Sequence, residues 1–383
     1  MSLSLMFLVA LASLVALVVA SFIVEALRRA PQPPEKLAWA PGVPIKYADI
    51  GGMRVRYIKT GIGPNLVLLH TLRTQLDLFE KVVLDLAKQF TVYALDYPGH
   101  GYSDIPQARY DAEFFVRSVE EFLDALDLRQ VTLCGVSIGG AIALIIAGRR
   151  NSRIARVTAI NPYDYAKGRG MMRSSALGWM ITATSDIPIL GETVMRLRNF
   201  IIMKAVLRGG VANPHSIPPE LLKEMYEVGN RRGHYRAFIN LLRNAVSWET
   251  ATAAYGSINV PVCLIWGEKD WARAHEREHD ERLLTGAQTV TIKNGGHFLP
   301  LDRPRGCTSS SSTSPADEHI TPMSGGPKCR YQPTTSTSSS ATRWPSSSSA
   351  SSRNGTSGRP SRTARRPSRL VRSFCTPACA STA

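Results

Sequence analysis

Positions 3–24 form an almost unbroken apolar run without a charged residue, whereas from about position 45 the chain changes to short apolar runs alternating with helical spacing. The first run is long enough to cross a hydrocarbon core about 30 Å thick as one helix. No Lys or Arg precedes it, and it exceeds the apolar stretch of a cleavable leader. A membrane anchor over 1–27 is therefore expected, although Val18-Val19-Ala20-Ser21 has the small residues of a cleavage site. Arg28, Arg29 and Lys36 follow the run, so the positive-inside rule places the rest of a single-pass chain on the cytoplasmic side. A linker over 28–44 follows, stiffened by Pro31-Gln32-Pro33-Pro34.

Apolar runs at 55–60, 66–70, 91–96, 131–136 and 157–160 read as strands, and helical spacing at 76–88, 111–126 and 138–149 fills gaps between them. This order predicts an α/β fold, a mostly parallel doubly wound sheet with helices on both faces. After Asn161-Pro162 the alternation stops. About 163–257 carries helical segments and no strand, and then 260–266 and 289–292 resume the sheet around a helix at about 274–284. A helical cap inserted into one domain, 45–304, explains this pattern better than a second domain does.

Composition changes the picture mainly after Pro304. Positions 305–383 hold 21 serines and little apolar periodicity, too little to bury a core, so a low-complexity disordered tail is expected. Two origins fit it: a natural basic tail, or out-of-frame translation of a GC-rich gene. Nine of the sixteen net positive charges lie there, so the overall charge of +16 gives no reason to expect a specific nucleic-acid partner. Cys134 and Cys263 sit in strand-like runs as small core residues, and no Cys-x-x-Cys pair occurs. No metal cluster and no cofactor fingerprint is present, and oligomeric state is not legible.

The candidate chemistry starts at Gly135-Val136-Ser137-Ile138-Gly139, where a strand is expected to end and a helix to begin. In that setting the segment reads as a sharp elbow presenting the Ser137 hydroxyl at a helix N-terminus, which favours a developing oxyanion. A serine hydroxyl needs a positioned base, and the base an orienting carboxylate. Asp270 follows the apolar run ending at Trp266, and His297 follows the last expected strand, in matching chain order.

Over 45–304 the chain resembles the α/β-hydrolase superfamily, in particular its single-domain members with a helical lid. Beside the elbow, Asp96-Tyr97-Pro98-Gly99-His100-Gly101-Tyr102-Ser103-Asp104 is similar to the Asp-x-x-Gly-x-Gly-x-Ser segment of that family. Gly267-Glu268-Lys269-Asp270 and Gly296-His297 resemble its acid and base motifs. The resemblance implies Ser137 as nucleophile, Asp270 as acid and His297 as base, with Asp164 as a rival acid because some relatives place it there. The oxyanion hole would be formed by the N–H groups of Ile138 and Leu72. Where the family usually has His-Gly, this chain has His70-Thr71, and a β-branched residue reaches fewer conformations than glycine. Arg73 is expected near the pocket mouth, solvated or holding an anionic substrate group. His100 reads as structural, and His215, His234, His275 and His279 receive no role.

The expected function is hydrolysis of a carboxylic ester, lipophilic if the cap and anchor lie against an anionic leaflet. From position 167 to 208 seven Lys/Arg are interleaved with Met and aliphatic residues against only Asp186 and Glu192. The partners implied are a small-molecule or lipid ester and the membrane. Carbon–carbon bond hydrolysis on the same fold is one alternative. A catalytically weak binding or scaffold protein is another, suggested by Thr71 and by the missing helix after the histidine loop. The serine disfavours the dehalogenase and epoxide-hydrolase branches, whose alkyl-enzyme ester requires a carboxylate nucleophile.

Overall fold

A computed structural model describes residues 2–308, and the tail expectations and Cys329, Cys375 and Cys379 lie outside the described residues. Eight strands form one sheet: β1 (Ile45–Ile50), β2 (Met53–Thr60), β3 (Asn65–Leu69), β4 (Thr91–Leu95), β5 (Val131–Val136), β6 (Ile154–Ile160), β7 (Val262–Gly267) and β8 (Gln288–Ile292). Their spatial order is β1-β2-β4-β3-β5-β6-β7-β8, with β1 and β2 antiparallel and every pair from β4 onward parallel. The mostly parallel sheet read from the sequence is therefore present. β1 was not expected, because Lys46, Tyr47 and Asp49 are exposed and only Ala48 and Ile50 are buried.

The strand order reverses direction between β3 and β5, so the loops leaving these two strands diverge and open a crevice at their C-terminal ends. β5 is buried at all six positions, and α4 (Ile138–Gly148), which follows it directly, is buried at all eleven. This continuous apolar stretch forms a strand and helix locked inside the core. α3 (Ala112–Ala125) starts at the Asp111 cap, whose carboxylate accepts from the Phe114 N–H, and buries a regular apolar face. The helix expected over 76–88 is instead a 3₁₀ turn, Leu76–Phe79, and a single turn, α2 (Val83–Leu86). The Leu76 N–H goes to Asp96, and Asp77 is drawn out to Arg56 and Trp39, so local side-chain bonds replace a continuous helical ladder.

Six helices lie between β6 and β7: α5 (Ala176–Thr184), α6 (Leu190–Arg196), α7 (Phe200–Arg208), α8 (Pro219–Gly229), α9 (His234–Arg243) and α10 (Val246–Ala251). They form the cap, and α11 (Ala274–Leu283) then joins β7 to β8. The N-terminal apolar run is one helix, α1 (Leu3–Ala26), with its apolar side chains exposed. Among the described residues it is the one helix long and apolar enough to cross a membrane.

The segment 28–44 does not behave as a free linker. Leu37, Ala40 and Val43 are buried, and Trp39 Nε1 donates to Asp77 at 2.7 Å. Nor does α1 end free. Glu25 pairs with Arg198 at 2.7 Å and Arg28 at 3.1 Å and accepts from the Gly233 N–H, while Arg196 bonds Ser21 and stacks over Phe22. The last two turns of α1 are thus clamped to α6 and the start of α9.

Candidate active site

Ser137 sits between the last residue of β5 and the first of α4 with φ 60° and ψ −120°, a strained conformation for a residue with a side chain. The elbow is possible because its flanks are glycines. A Cβ on Gly135 would stand 2.0 Å from the Gly139 carbonyl oxygen, and one on Gly139 would stand 2.2 Å from that of Leu69. The second contact also shows how closely the start of α4 packs on the end of β3, which leads into the 70–74 loop.

The three residues expected to act together are brought together. His297 Nε2 lies 2.8 Å from Ser137 Oγ, and His297 Nδ1 lies 2.5 Å from Asp270 Oδ1. All three side chains are sealed from solvent. The second oxygen of Asp270 accepts from the Ala272 N–H at 2.8 Å, which fixes its rotation. Trp271 stacks on the His297 ring at 3.9 Å and 15°, and its indole N–H donates to the Gly209 carbonyl at the end of α7, so the imidazole is wedged between the sheet and the cap.

Asp164, the rival acid, is directed elsewhere. It accepts from the Tyr255 hydroxyl at 2.5 Å, and burial raises its pKa to about 6. Asp280 beside it is pushed up too, by burial and then by the Asp164 charge.

Three residues that the sequence reading left without a role hold the loops in place. Asn161 follows β6, fully buried at φ 46°. Its Nδ2 donates to the carbonyls of Gly296 and His297 at 3.0 Å each, and its Oδ1 accepts from the Gly267 N–H at 2.7 Å. One side chain therefore ties the end of β7, which leads to Asp270, to the His297 loop. Asp302 accepts from the N–H groups of Gly296, Ala212 and Asn213 and from Ser216 Oγ, binding the histidine loop to the cap. These bonds supply support where the chain was expected to lack it. Trp271 is the third. An Asn closing a strand, a residue type that tolerates left-handed φ, was the available signal for Asn161; nothing local marks Asp302.

Thr71 is fully buried and takes a negative φ; the left-handed residue of this loop is Arg73, at φ 65°. His70 fixes the turn. Its Nδ1 donates to the Thr71 carbonyl at 2.7 Å while Nε2 accepts from the Tyr97 N–H at 3.2 Å. Burial holds its pKa down to about 3, so the ring is neutral in the tautomer these two bonds require. The Leu72 N–H makes no hydrogen bond among the described residues, and the Ile138 N–H opens α4, where no intrahelical acceptor exists. Arg73 is half-buried against the cap rather than solvated, bonded to Gly229 and His234. His100 is buried among His70, Tyr97, Phe115 and His234. No metal-binding group of His, Cys, Asp or Glu occurs among the described residues.

Arg56, fully buried on β2, meets Asp96 at 3.2 Å and Asp77 at 3.4 Å, and Ser103 Oγ donates to the Asp96 carbonyl. The 96–104 segment is thereby a structural knot beneath the 70–74 loop.

Among proteins of known sequence, a monoacylglycerol lipase of Xenopus laevis, abhd6-B, is 23% identical over 69% of this chain and 80% of its own length. An uncharacterized protein of Mycobacterium tuberculosis is 26% identical over 68% of this chain and 77% of its own. A solved membrane phospholipase A, described as a bacterial virulence factor, superposes with a TM-score of 0.58 at 22% identity, over 79% of this chain and 93% of that one, a likeness of fold. The family model for the alpha/beta hydrolase fold matches residues 64–304, most of the chain and every element from β3 to the histidine loop. This chain belongs to the α/β-hydrolase fold family.

Proposed function

We propose that this chain is a membrane-anchored serine hydrolase that cleaves a lipophilic carboxylic ester through an acyl-enzyme. The observation that carries the reading is the unbroken chain Ser137 Oγ, His297, Asp270, buried at the end of β5 with nothing intervening. As Ser137 Oγ attacks the ester carbonyl, its proton passes to His297 Nε2, and Asp270 stabilises the imidazolium at Nδ1. The N–H groups of Ile138 and Leu72 receive the oxyanion. The intermediate collapses, the alcohol leaves with the proton from His297, and a water deprotonated by His297 then releases the acid and restores the serine.

Three features support a lipophilic substrate reaching the site from a bilayer. The cap holds a small cavity of about 30 Å³ lined chiefly by Met and aliphatic side chains. Ser137 is not part of that lining, but Met171 is, and its N–H donates to the Tyr163 hydroxyl at 2.9 Å, whose ring packs edge-on toward His297. The cap exposes Trp179 (56%), Ile187, Ile189 and Ile201 (73%), apolar surface suited to an interfacial leaflet. Relatives named as a monoacylglycerol lipase and a membrane phospholipase A agree with this chemistry. With Arg28, Arg29 and Lys36 after α1, the domain sits on the cytoplasmic face of a single span.

The test is fluorophosphonate labelling of the full chain in neutral detergent, followed by hydrolysis of p-nitrophenyl esters of increasing acyl length. Labelling lost in Ser137→Ala, with rates that rise with chain length, is the expected result. A folded wild-type protein that takes no label overturns the proposal, and activity confined to acetate and propionate overturns its lipophilic part.

A further inference from the structure

Two arginines face the largely apolar cap cavity, and only one of them has a carboxylate. Met171, Met203, Leu207 and Phe238 line the space together with Arg73 and Arg198. Arg198 is fully engaged: Nη1 meets Glu25 at 2.7 Å and the Met195 carbonyl, Nε donates to Gly229, and Nη2 donates to Arg231. That one carboxylate is shared with Arg28. Arg73 has a single nitrogen in use. Its Nη1 donates to His234 Nδ1 at 2.9 Å and to the Gly229 carbonyl at 3.3 Å, while its guanidinium lies 4.9 Å from the centre of the Phe238 ring. Among the described residues it has no ion-pair partner, and its Nε and Nη2 have no acceptor.

The surroundings make this arrangement costly when empty. A cation in an apolar wall is unfavourable unless it is paired, and two other cations stand close by. Burial, and then the charges of Arg198 and Arg28, bring the Arg73 guanidinium down from its ordinary value to about 9. The residue also holds φ 65°, which costs about 1 kcal/mol for a residue with a side chain. An unpaired planar fork with two open donors matches the two oxygens of a carboxylate or a phosphate.

We propose that Arg73 is an anion subsite in the cap cavity, taking the carboxylate or phosphate of a single-chain amphiphile whose alkyl chain lies along the Met and Leu wall. The proposal deepens the reading of the chain as a lipophilic-ester hydrolase and rests on it for the ligand's role. A bound carboxylate is a released fatty acid, and a bound phosphate is the head group of a lysophospholipid. Arg73 directly follows Leu72, so an occupied subsite also fixes the loop that offers the oxyanion N–H. His234, bonded to Arg73, is a positioning residue for it.

The test measures binding without turnover. Full-length Ser137→Ala protein in neutral detergent is titrated calorimetrically with octanoate, octyl phosphate and octanol. The expected result is at least tenfold tighter binding of one anion over octanol, a preference that Arg73→Met removes and Arg73→Lys largely keeps. Tighter octyl phosphate assigns a phosphate-bearing lipid, and tighter octanoate assigns the fatty acid. Equal affinity for octanol and both anions, or an anion preference undiminished in Arg73→Met, overturns the proposal. Failure of fluorophosphonate labelling in the wild type refutes the serine chemistry and leaves this binding result standing on its own.

Discussion

Replacing Asn161 by alanine tests whether one side chain holds the acid and base loops together. The substitution deletes three hydrogen bonds, to the Gly267 N–H at 2.7 Å and to the Gly296 and His297 carbonyls at 3.0 Å each, at a site with no solvent access. Each bond contributes about 1 kcal/mol net, and each buried group left without a partner costs about 1–3 kcal/mol. Alanine also tolerates the φ of 46° less well than asparagine. Three such groups total about 3–9 kcal/mol, which for a domain of this size lowers the apparent Tm by roughly 10 °C or more. The assay pairs thermal melting at fixed scan rate with the single-turnover rate of fluorophosphonate labelling at 20 °C, where the variant remains folded. Labelling is expected to slow at least tenfold, because Asp270 and His297 lose the strut that sets their spacing. A Tm within 3 °C of wild type together with an unchanged labelling rate would refute the strut.

Other substitutions separate roles that proximity alone leaves mixed. Asp270→Asn should lower turnover by about a thousandfold or more by destabilising the productive histidine tautomer, whereas Asp164→Asn should leave kcat within a few-fold; the reverse pattern in ester hydrolysis would make Asp164 the acid. Trp271→Ala removes the plane stacked on His297 and should lower kcat more than it raises KM, with Trp271→Phe recovering part of the loss. Glu25→Ala leaves Arg198 buried without its counter-charge and should destabilise by about 3 kcal/mol, an effect that the double variant with Arg198→Met should reduce in the same melting assay. His70→Gln should be less stable than wild type at pH 8, with a deficit that narrows toward pH 5. Between about 3 and 6.5 the unfolded chain binds a proton at His70 that the native chain refuses, so wild-type stability from this residue rises with pH and is lost as pH falls, while glutamine does not titrate. A deficit that is constant across that range would refute the neutral, buried state of His70.

The sequence alone determined what rests on local chemistry. The apolar run over 3–24, the strand and helix flanking Ser137 and the glycines at 135 and 139 are each dictated by neighbours a few residues away, and so the N-terminal apolar helix, most of the sheet and the elbow were legible. Chain order likewise marked Asp270 and His297. What only the tertiary structure decided are contacts between residues far apart in sequence. Asn161 reaches the 267 and 296–297 segments, Asp302 reaches 212–216, Trp271 meets the end of α7, and Glu25 meets Arg198. A single polar residue carries no periodicity, so its partner is invisible until the chain is folded. The same holds for Thr71 and Arg73. Composition made Thr71 look like the obstacle to the oxyanion loop, but packing of the 70–74 turn moved the left-handed conformation to Arg73 and left that residue facing the cap cavity with its charge uncompensated by any described carboxylate.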